Sequence, residues 1–154
     1  FGRYGVGDVQ WTKLSCPSDC VIVHTAASGI DAHAAQPSVA FIADDAMRAK
    51  GIRYEDLIAA VDVVVTKPGY GMIAECAANG TAILYTSRGR FAEYDVLVAD
   101  MPRLVRCGFI EQTDLFAGRW KQPLEQLLAA PKPPRPDVSG AEVVAGQILE
   151  LIDR

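Results

Sequence analysis

Residues 63–75 read VVVTKPGYGMIAE: three valines, a short loop with two glycines, and a run of good helix formers. The valines predict a strand that is buried on both faces, and the run after Gly71 predicts a helix. Glycines at 69 and 71 let a ligand approach the backbone closely, and the first turn of the helix offers unpaired amides and the positive end of its dipole. The segment therefore predicts a phosphate site between a strand and a helix.

Two side chains extend this prediction. Lys67 either adds a point charge to the site or is solvated on the loop. Glu75 follows about one turn into the helix, where its carboxylate can accept two hydroxyl hydrogen bonds from a ribose diol. The acid of the dinucleotide-binding fold comes some 20 residues later, and the P-loop motif is absent, so neither of those sites matches. The alternative is a corner that serves packing alone.

Outside this segment, β-branched runs alternate with helical ones. This order predicts an α/β fold, a Rossmann-like parallel sheet with helices on both faces. The predicted strands are residues 20–24, 39–43, 62–66, 82–86 and, more weakly, 109–111. The predicted helices are residues 54–61, 72–79, 93–106, 120–129 and 139–152. Asn79-Gly80 and Cys107-Gly108 are interpreted as helix ends.

The proline-rich stretch 131–136 cannot propagate a helix, so two parts are predicted: residues 1–130 as one domain, and residues 131–154 as a strap with a C-terminal helix. Residues 1–7 are interpreted as the exit from a strand whose body is absent. On the last helix, apolar side chains share a face that something must cover: Val144, Ile148, Leu151 and Ile152.

Charge and cysteine content exclude several function classes. The net charge of −4, without a long Lys/Arg run, argues against a nucleic-acid partner. No apolar stretch is long enough to span a membrane and no signal peptide opens the chain, so a cytoplasmic protein is expected. Zinc is conceivable at Cys16, Cys20, His24 and His33, but the spacing argues against it. Free thiols, structural histidines and no metal or cofactor are predicted.

Residues 66–75 (TKPGYGMIAE) and 77–86 (AANGTAILYT) resemble the C-terminal domain of GT-B glycosyltransferases. Within this group it resembles the N-acetylglucosaminyltransferase of peptidoglycan synthesis, plant monogalactosyldiacylglycerol synthase and the glycosyltransferase-like domain beside sugar kinases such as arabinokinase. The resemblance covers residues 1–130 and is most specific over 54–94. It implies the C-terminal half of a GT-B fold, in which this domain binds a nucleotide diphosphate sugar, most commonly a UDP-sugar.

The resemblance also implies roles for individual residues. The loop and the helix start would bind the diphosphate of the donor, through Gly69, Tyr70, Gly71 and Met72. Glu75 would bind the ribose hydroxyls. A second Gly-rich loop has its counterpart in residues 1–5, with Gly2 and Gly5, although Arg3 stands where glycine is commoner. Ile52, with Arg53 beside it, is the candidate for a backbone contact to the base.

The loop at 87–94 faces the donor sugar in that family. Arg88 or Arg90 is a candidate partner for phosphate, and Glu93 for sugar hydroxyls. The alternative is that Glu93 caps its helix and the arginines are solvated. No catalytic residue is predicted here, because the family's general base belongs to the N-terminal domain.

The sequence thus predicts the donor-binding domain of an inverting glycosyltransferase that does not turn over alone. Its expected partners are a nucleotide-sugar donor, an N-terminal acceptor domain or a partner chain, and a second copy as in a homodimer. Two alternatives stay open: a non-catalytic assembly module with a vestigial site, and a fragment of a UDP-sugar epimerase.

Overall fold

The structure, a computed structural model, describes residues 9–26 and 39–152. Five strands and seven α-helices follow one another in it, after a single 3-10 turn at Trp11–Lys13. The strands are β1 (Ile22–Ala26), β2 (Val39–Ala43), β3 (Val63–Thr66), β4 (Ala82–Tyr85) and β5 (Cys107–Phe109). The helices are α1 (Asp44–Ala49), α2 (Tyr54–Ala60), α3 (Tyr70–Asn79), α4 (Tyr94–Leu104), α5 (Gln112–Phe116), α6 (Lys121–Ala129) and α7 (Gly140–Ile152).

All strand pairs within the described residues are parallel, and they form two sheets. β1 pairs with β2, from Ile22 opposite Val39 to Ala26 opposite Ala43. The second sheet has the order β3-β4-β5, with Val63 opposite Ala82 and Ile83 opposite Cys107. The predicted α/β fold with parallel strands and flanking helices is confirmed, but the strands are divided between two sheets.

The central strand β4 is buried on both faces, because its side chains alternate between two apolar clusters. Ala82 and Leu84 belong to a cluster with α5 and α6, whose other buried members are Val9, Leu14, Ile110, Leu115, Trp120, Leu124 and Leu127. Ile83 belongs to a cluster with α2, α3 and α4, whose other buried members are Ile58, Ile73, Cys76, Leu97, Met101 and Val105. Helices therefore cover both faces of this sheet.

Two predicted boundaries were wrong at the end of α4. The helix stops at Leu104 rather than residue 106, and Cys107-Gly108 is not a helix end but the start of β5. Val105 is extended, and the amide of Ile83 donates to the carbonyl oxygen of Arg106 at 2.9 Å. Pairing with the edge of β4 thus outweighs the local helix preference. The other predicted helix end is confirmed, since Gly80 has a left-handed backbone with φ of 71°.

The stretch between α6 and α7 has no helix or strand, in agreement with its prolines. Arg135 holds it to the domain by donating through Nη2 to the carbonyl oxygen of Ala78 at 2.9 Å. Every described residue from 140 onward is exposed, including the predicted stripe; Leu151 is 69% and Ile152 73% exposed. The described residues leave this helix uncovered.

Truncating either face of β4 is expected to be equally harmful. Ile83→Ala and Leu84→Ala each remove buried methyl groups from side chains with 0% exposure, and each should lower the free energy of unfolding by ~2–5 kcal/mol. Urea unfolding measures both, with Val96→Ala on the exposed face of α4 as the control. A large loss for only one of the two strand variants would contradict the assignment of a doubly covered sheet.

Stability should fall above pH 9 through a buried thiol. Burial, reinforced by the charge of Glu75, raises the pKa of Cys76 from 9.0 to about 12. Between these values the unfolded chain has lost the proton while the folded chain keeps it, so the free energy of unfolding falls by ~1.4 kcal/mol per pH unit for this group.

The measurement is denaturant unfolding from pH 8 to 11. Cys76→Ala should give a shallower decline, whereas Val96→Ala, at an exposed position of α4, should leave the slope unchanged. Parallel slopes for wild type and Cys76→Ala would refute the prediction.

Candidate functional site

The carboxyl ends of β3 and β4 lie side by side, because the amide of Thr86 donates to the carbonyl oxygen of Thr66 at 3.1 Å. The loop after β3 leads into α3, and the loop after β4 leads into α4. In open parallel sheets, ligands bind outside this edge of the strands. Most of the predicted donor residues belong to these two loops.

The amino end of α3 carries the positive potential of the helix dipole. Gly69 is the N-cap residue, with an extended backbone, and its carbonyl oxygen accepts the first intrahelical bond, from Ile73 at 3.0 Å. The amides of Tyr70, Gly71 and Met72 precede that bond and have no acceptor among the described residues. The first turn contains no acidic side chain. These donors and the helix dipole favour an anion.

The two glycines of the loop have different surroundings. A Cβ on Gly71 would meet nothing within 4 Å, so the packing of the described chain does not require glycine there. A Cβ on Gly69 would lie 3.4 Å from Nη1 of Arg88. Gly69 therefore accommodates the arginine, and Gly71 leaves the amino end of α3 open to solvent.

Arg88 lies across the loop that precedes α3. Its Nη1 donates to the carbonyl oxygen of Pro68 at 3.1 Å, and its guanidinium carbon lies 4.1 Å from the ring centroid of Phe91. These contacts fix a positive charge next to the positive end of the helix. Because the two repel each other, an anion bound beside them would lower the electrostatic energy of the loop.

Tyr70 and Glu93 join the starts of α3 and α4. Interaction with the Glu93 carboxylate is the main cause of the raised pKa of Tyr70, so the two side chains lie close together. Glu93 is the N-cap residue of α4 but makes no capping hydrogen bond. Its carboxylate is directed to the Tyr70 side of the loop, close to the predicted phosphate site.

Glu75 is half-buried, about one turn beyond Gly71 on α3. The pKa of Arg53 is raised mainly by its hydrogen bond to Asp56 and more weakly by the charge of Glu75, which places this acid towards the start of α2. The predicted base-contacting residues lie there too. The amide of Ile52 donates to the Met47 carbonyl oxygen at 3.0 Å, so any contact of Ile52 to a base would use its carbonyl oxygen.

The remaining candidates contribute less. Gly2 and Gly5 lie outside the described residues, as does His33. Lys67 is half-buried, and its carbonyl oxygen accepts the Thr66 hydroxyl at 3.1 Å. Arg90 is exposed and makes no hydrogen bond or ion pair within the described ranges.

Sequence reasoning missed three residues at this edge. Phe91 supports the Arg88 guanidinium, and Gln112 donates through Nε2 to the carbonyl oxygen of Ser87 at 2.9 Å. Thr86 is fully buried, and its Oγ1 has no hydrogen-bond partner within the part of the chain that the structure describes. The spacing of Arg88 and Phe91, three residues apart in one loop, could have predicted that the aromatic ring supports the guanidinium. Gln112 comes from a helix that was not predicted.

The His24 side chain packs against aromatic rings. Its ring contacts Trp11, with centroids 4.7 Å apart, and Phe41, at 5.3 Å. Burial lowers its pKa, and its buried Nδ1 has no partner among the described residues. No group of three or more metal-ligating side chains occurs in residues 9–26 and 39–152.

A scan against protein-family profiles, a search of curated proteins and a search of solved structures each found no match for this chain. In the described ranges, no helix has both the length and the apolar character required to cross a membrane.

Removing the Arg88 contacts should loosen the loop before α3. Arg88→Ala loses the bond to Pro68 and the stacking on Phe91, and should lower the free energy of unfolding by about 1 kcal/mol. Arg90→Ala, two residues away in the same loop, should change it by less than ~0.5 kcal/mol. Urea unfolding compares the two variants, and equal losses would contradict a structural role for Arg88.

Proposed function

We propose that this chain is the donor-binding domain of an inverting glycosyltransferase and that it holds a nucleotide diphosphate sugar at the carboxyl edge of β3 and β4. The observation that carries the proposal is the amino end of α3. Three amides without acceptors in the described chain and a glycine not required by packing lie beside a fixed guanidinium. Such a corner suits the diphosphate of a donor.

The sugar and ribose parts of the proposal rest on the two acids. Glu93, close to Tyr70, lies next to the amino end of α3, where a carboxylate can accept sugar hydroxyls. Glu75 lies one turn along the same helix, towards the start of α2. A diphosphate at Gly71 therefore leaves the nucleoside to extend towards Glu75 and the carbonyl oxygen of Ile52. The resemblance of residues 66–86 to GT-B domains supports UDP as the nucleotide.

The proposal assigns no catalytic residue to this chain. Sugar transfer in this architecture takes place in a cleft between two domains, so an N-terminal acceptor domain or a partner chain has to supply the other wall and the general base. The proposed compartment is the cytoplasm, in agreement with four cysteines that are free thiols in the structure.

A second candidate function is supported by α7. Its uncovered apolar side chains, which include Val144 and Ile148, are those of a helix that packs against another protein surface or a second copy. In that case the chain is a non-catalytic assembly module and the Gly69 corner is vestigial. Nucleotide binding separates the two candidates.

The two halves of the proposed site should respond differently to substitution. Gly71→Ala places a methyl group where the phosphate would approach, so it should weaken both UDP and inorganic pyrophosphate at least tenfold. The same change should raise the free energy of unfolding by ~0.5–1 kcal/mol, because alanine is the better helix former. Glu75→Gln should weaken UDP about tenfold and leave pyrophosphate unchanged, since pyrophosphate has no ribose.

Isothermal calorimetry with UDP, UDP-N-acetylglucosamine and pyrophosphate makes these comparisons. Glu125→Gln, an exposed acid on α6, is the matched control and should bind like the wild type. Wild-type protein that gives no heat at millimolar UDP would refute the donor-binding proposal and favour the assembly module.

A further inference from the structure

A cavity of about 360 Å³ lies at the edge of the sheet opposite to the candidate donor site. It separates the ends of α3 and α4 from the proline-rich stretch, and its described lining is residues 77–80, 104–106 and 132–136. Gly80 precedes β4 and Arg106 precedes β5, so the cavity lies at the amino ends of these strands. The four residues of β4, about 13 Å of extended chain, separate it from the loops after β3 and β4.

The charged side chains that line this cavity are all positive. They are Arg106, Lys132 and Arg135. No acid belongs to the described lining. The acids that flank it in the sequence have other contacts, since Asp100 pairs with Arg103 at 3.3 Å and Asp137 accepts a backbone amide, that of residue 139, at 2.9 Å. The cavity therefore concentrates positive charge in a small space.

The two arginines are held by backbone carbonyl groups, which use only part of their hydrogen-bonding capacity. Nη1 of Arg106 donates to the carbonyl oxygen of Leu128 at 2.9 Å, and Nη2 of Arg135 donates to that of Ala78 at 2.9 Å. Each guanidinium has several further N–H donors. The Nε of Arg106 is buried and has no hydrogen-bond partner in the described chain. A buried charged donor without an acceptor is unfavourable, and a bound anion can supply the acceptor.

Helix ends account for part of this charge. The cavity adjoins the carboxyl ends of α3 and α4, and Arg106 also contacts the end of α6 at Leu128. Each helix end is worth about half a negative charge, so these ends offset about half of the positive charge in the lining. Lys132 is exposed and makes no hydrogen bond or ion pair within the described ranges. An excess of positive charge therefore remains.

A phosphate group matches this arrangement better than a carboxylate. It carries about 1.5–2 negative charges at neutral pH and offers more acceptor oxygens. Guanidinium groups bind such oxygens through parallel N–H bonds, and a lysine adds a point charge. The cavity volume lies at the lower end of the range of about 300–1,000 Å³ that is usual for ligand pockets, so the molecule that carries the phosphate has to be small.

We propose that this cavity is a second anion site, in which Arg106, Lys132 and Arg135 bind the phosphate group of a small molecule. The site is separate from the candidate donor site, and the proposal does not depend on donor binding. A phosphate held by side chains from both walls would fix the proline-rich stretch against the ends of α3 and α4. Because that stretch leads into α7, occupancy of the site would also restrain the start of this helix.

Proton–nitrogen correlation NMR of the full chain tests the proposal, with inorganic phosphate and glucose 6-phosphate as the probes at constant ionic strength. The reporters are the Nε–H group of Arg106 and the amide of Gly80. Both signals should shift in a saturable way, with a Kd of about 1 mM or tighter. The shifts should persist with the same Kd in Gly71→Ala, which blocks the candidate donor site at the other edge of the sheet.

Lys132→Gln tests the charge of the site without disturbing the fold, because Lys132 makes no hydrogen bond or ion pair in the described chain. It should weaken both probes about fivefold and leave the melting temperature in phosphate-free buffer unchanged. Lys121→Gln removes the same charge from an exposed lysine at the start of α6. This matched control should bind both probes like the wild type.

Tighter binding of glucose 6-phosphate than of inorganic phosphate would identify an organic phosphate as the ligand, and equal binding would identify the free ion; both results support the site. Three outcomes would overturn the proposal. One is the absence of shifts at Arg106 and Gly80 up to ~20 mM of either probe. Another is equal weakening by Lys132→Gln and Lys121→Gln, which would indicate general charge attraction. The last is loss of the shifts in Gly71→Ala, which would place the anion at the amino end of α3.

Discussion

The burial of β4 on both faces is the constraint from which the rest of the domain follows. Ile83 can be buried only if α3 and α4 cover one face, and Leu84 only if α6 covers the other. Helices on both faces require crossover connections, and crossovers make neighbouring strands parallel. Parallel strands end at the same edge. The loops after β3 and β4 are therefore brought together by a core whose buried members include none of the predicted ligand-binding residues.

At that edge the described residues place a guanidinium beside the positive end of a helix that has no acid in its first turn. Arg88 is fixed between the Pro68 carbonyl oxygen and the Phe91 ring, although the amino end of α3 lies beside it. The Glu93 carboxylate lies close to the Tyr70 side chain, and among the described residues it forms no ion pair with Arg88. A fold selected for stability alone would place an acid in the first turn of α3. The absence of an acid in the first turn of α3 and the glycine at 71 both cost the free fold stability, and a bound anion would offset both.

The sequence was informative where local patterns agree with the tertiary structure. The valines of β3, the loop at Gly69 and the left-handed Gly80 after α3 all act over a few residues, and the structure has them where they were predicted. The end of α4 was predicted wrongly because residues 105 and 106 continue the helical pattern locally, whereas in the fold Arg106 accepts the Ile83 amide and residues 107–109 pair with β4. Likewise, the proximity of Arg88 to Gly69, and of Glu93 to Tyr70, depends on strand order rather than on spacing along the chain. Which residues meet at the edge was therefore beyond sequence patterns, although most of the candidates were identified.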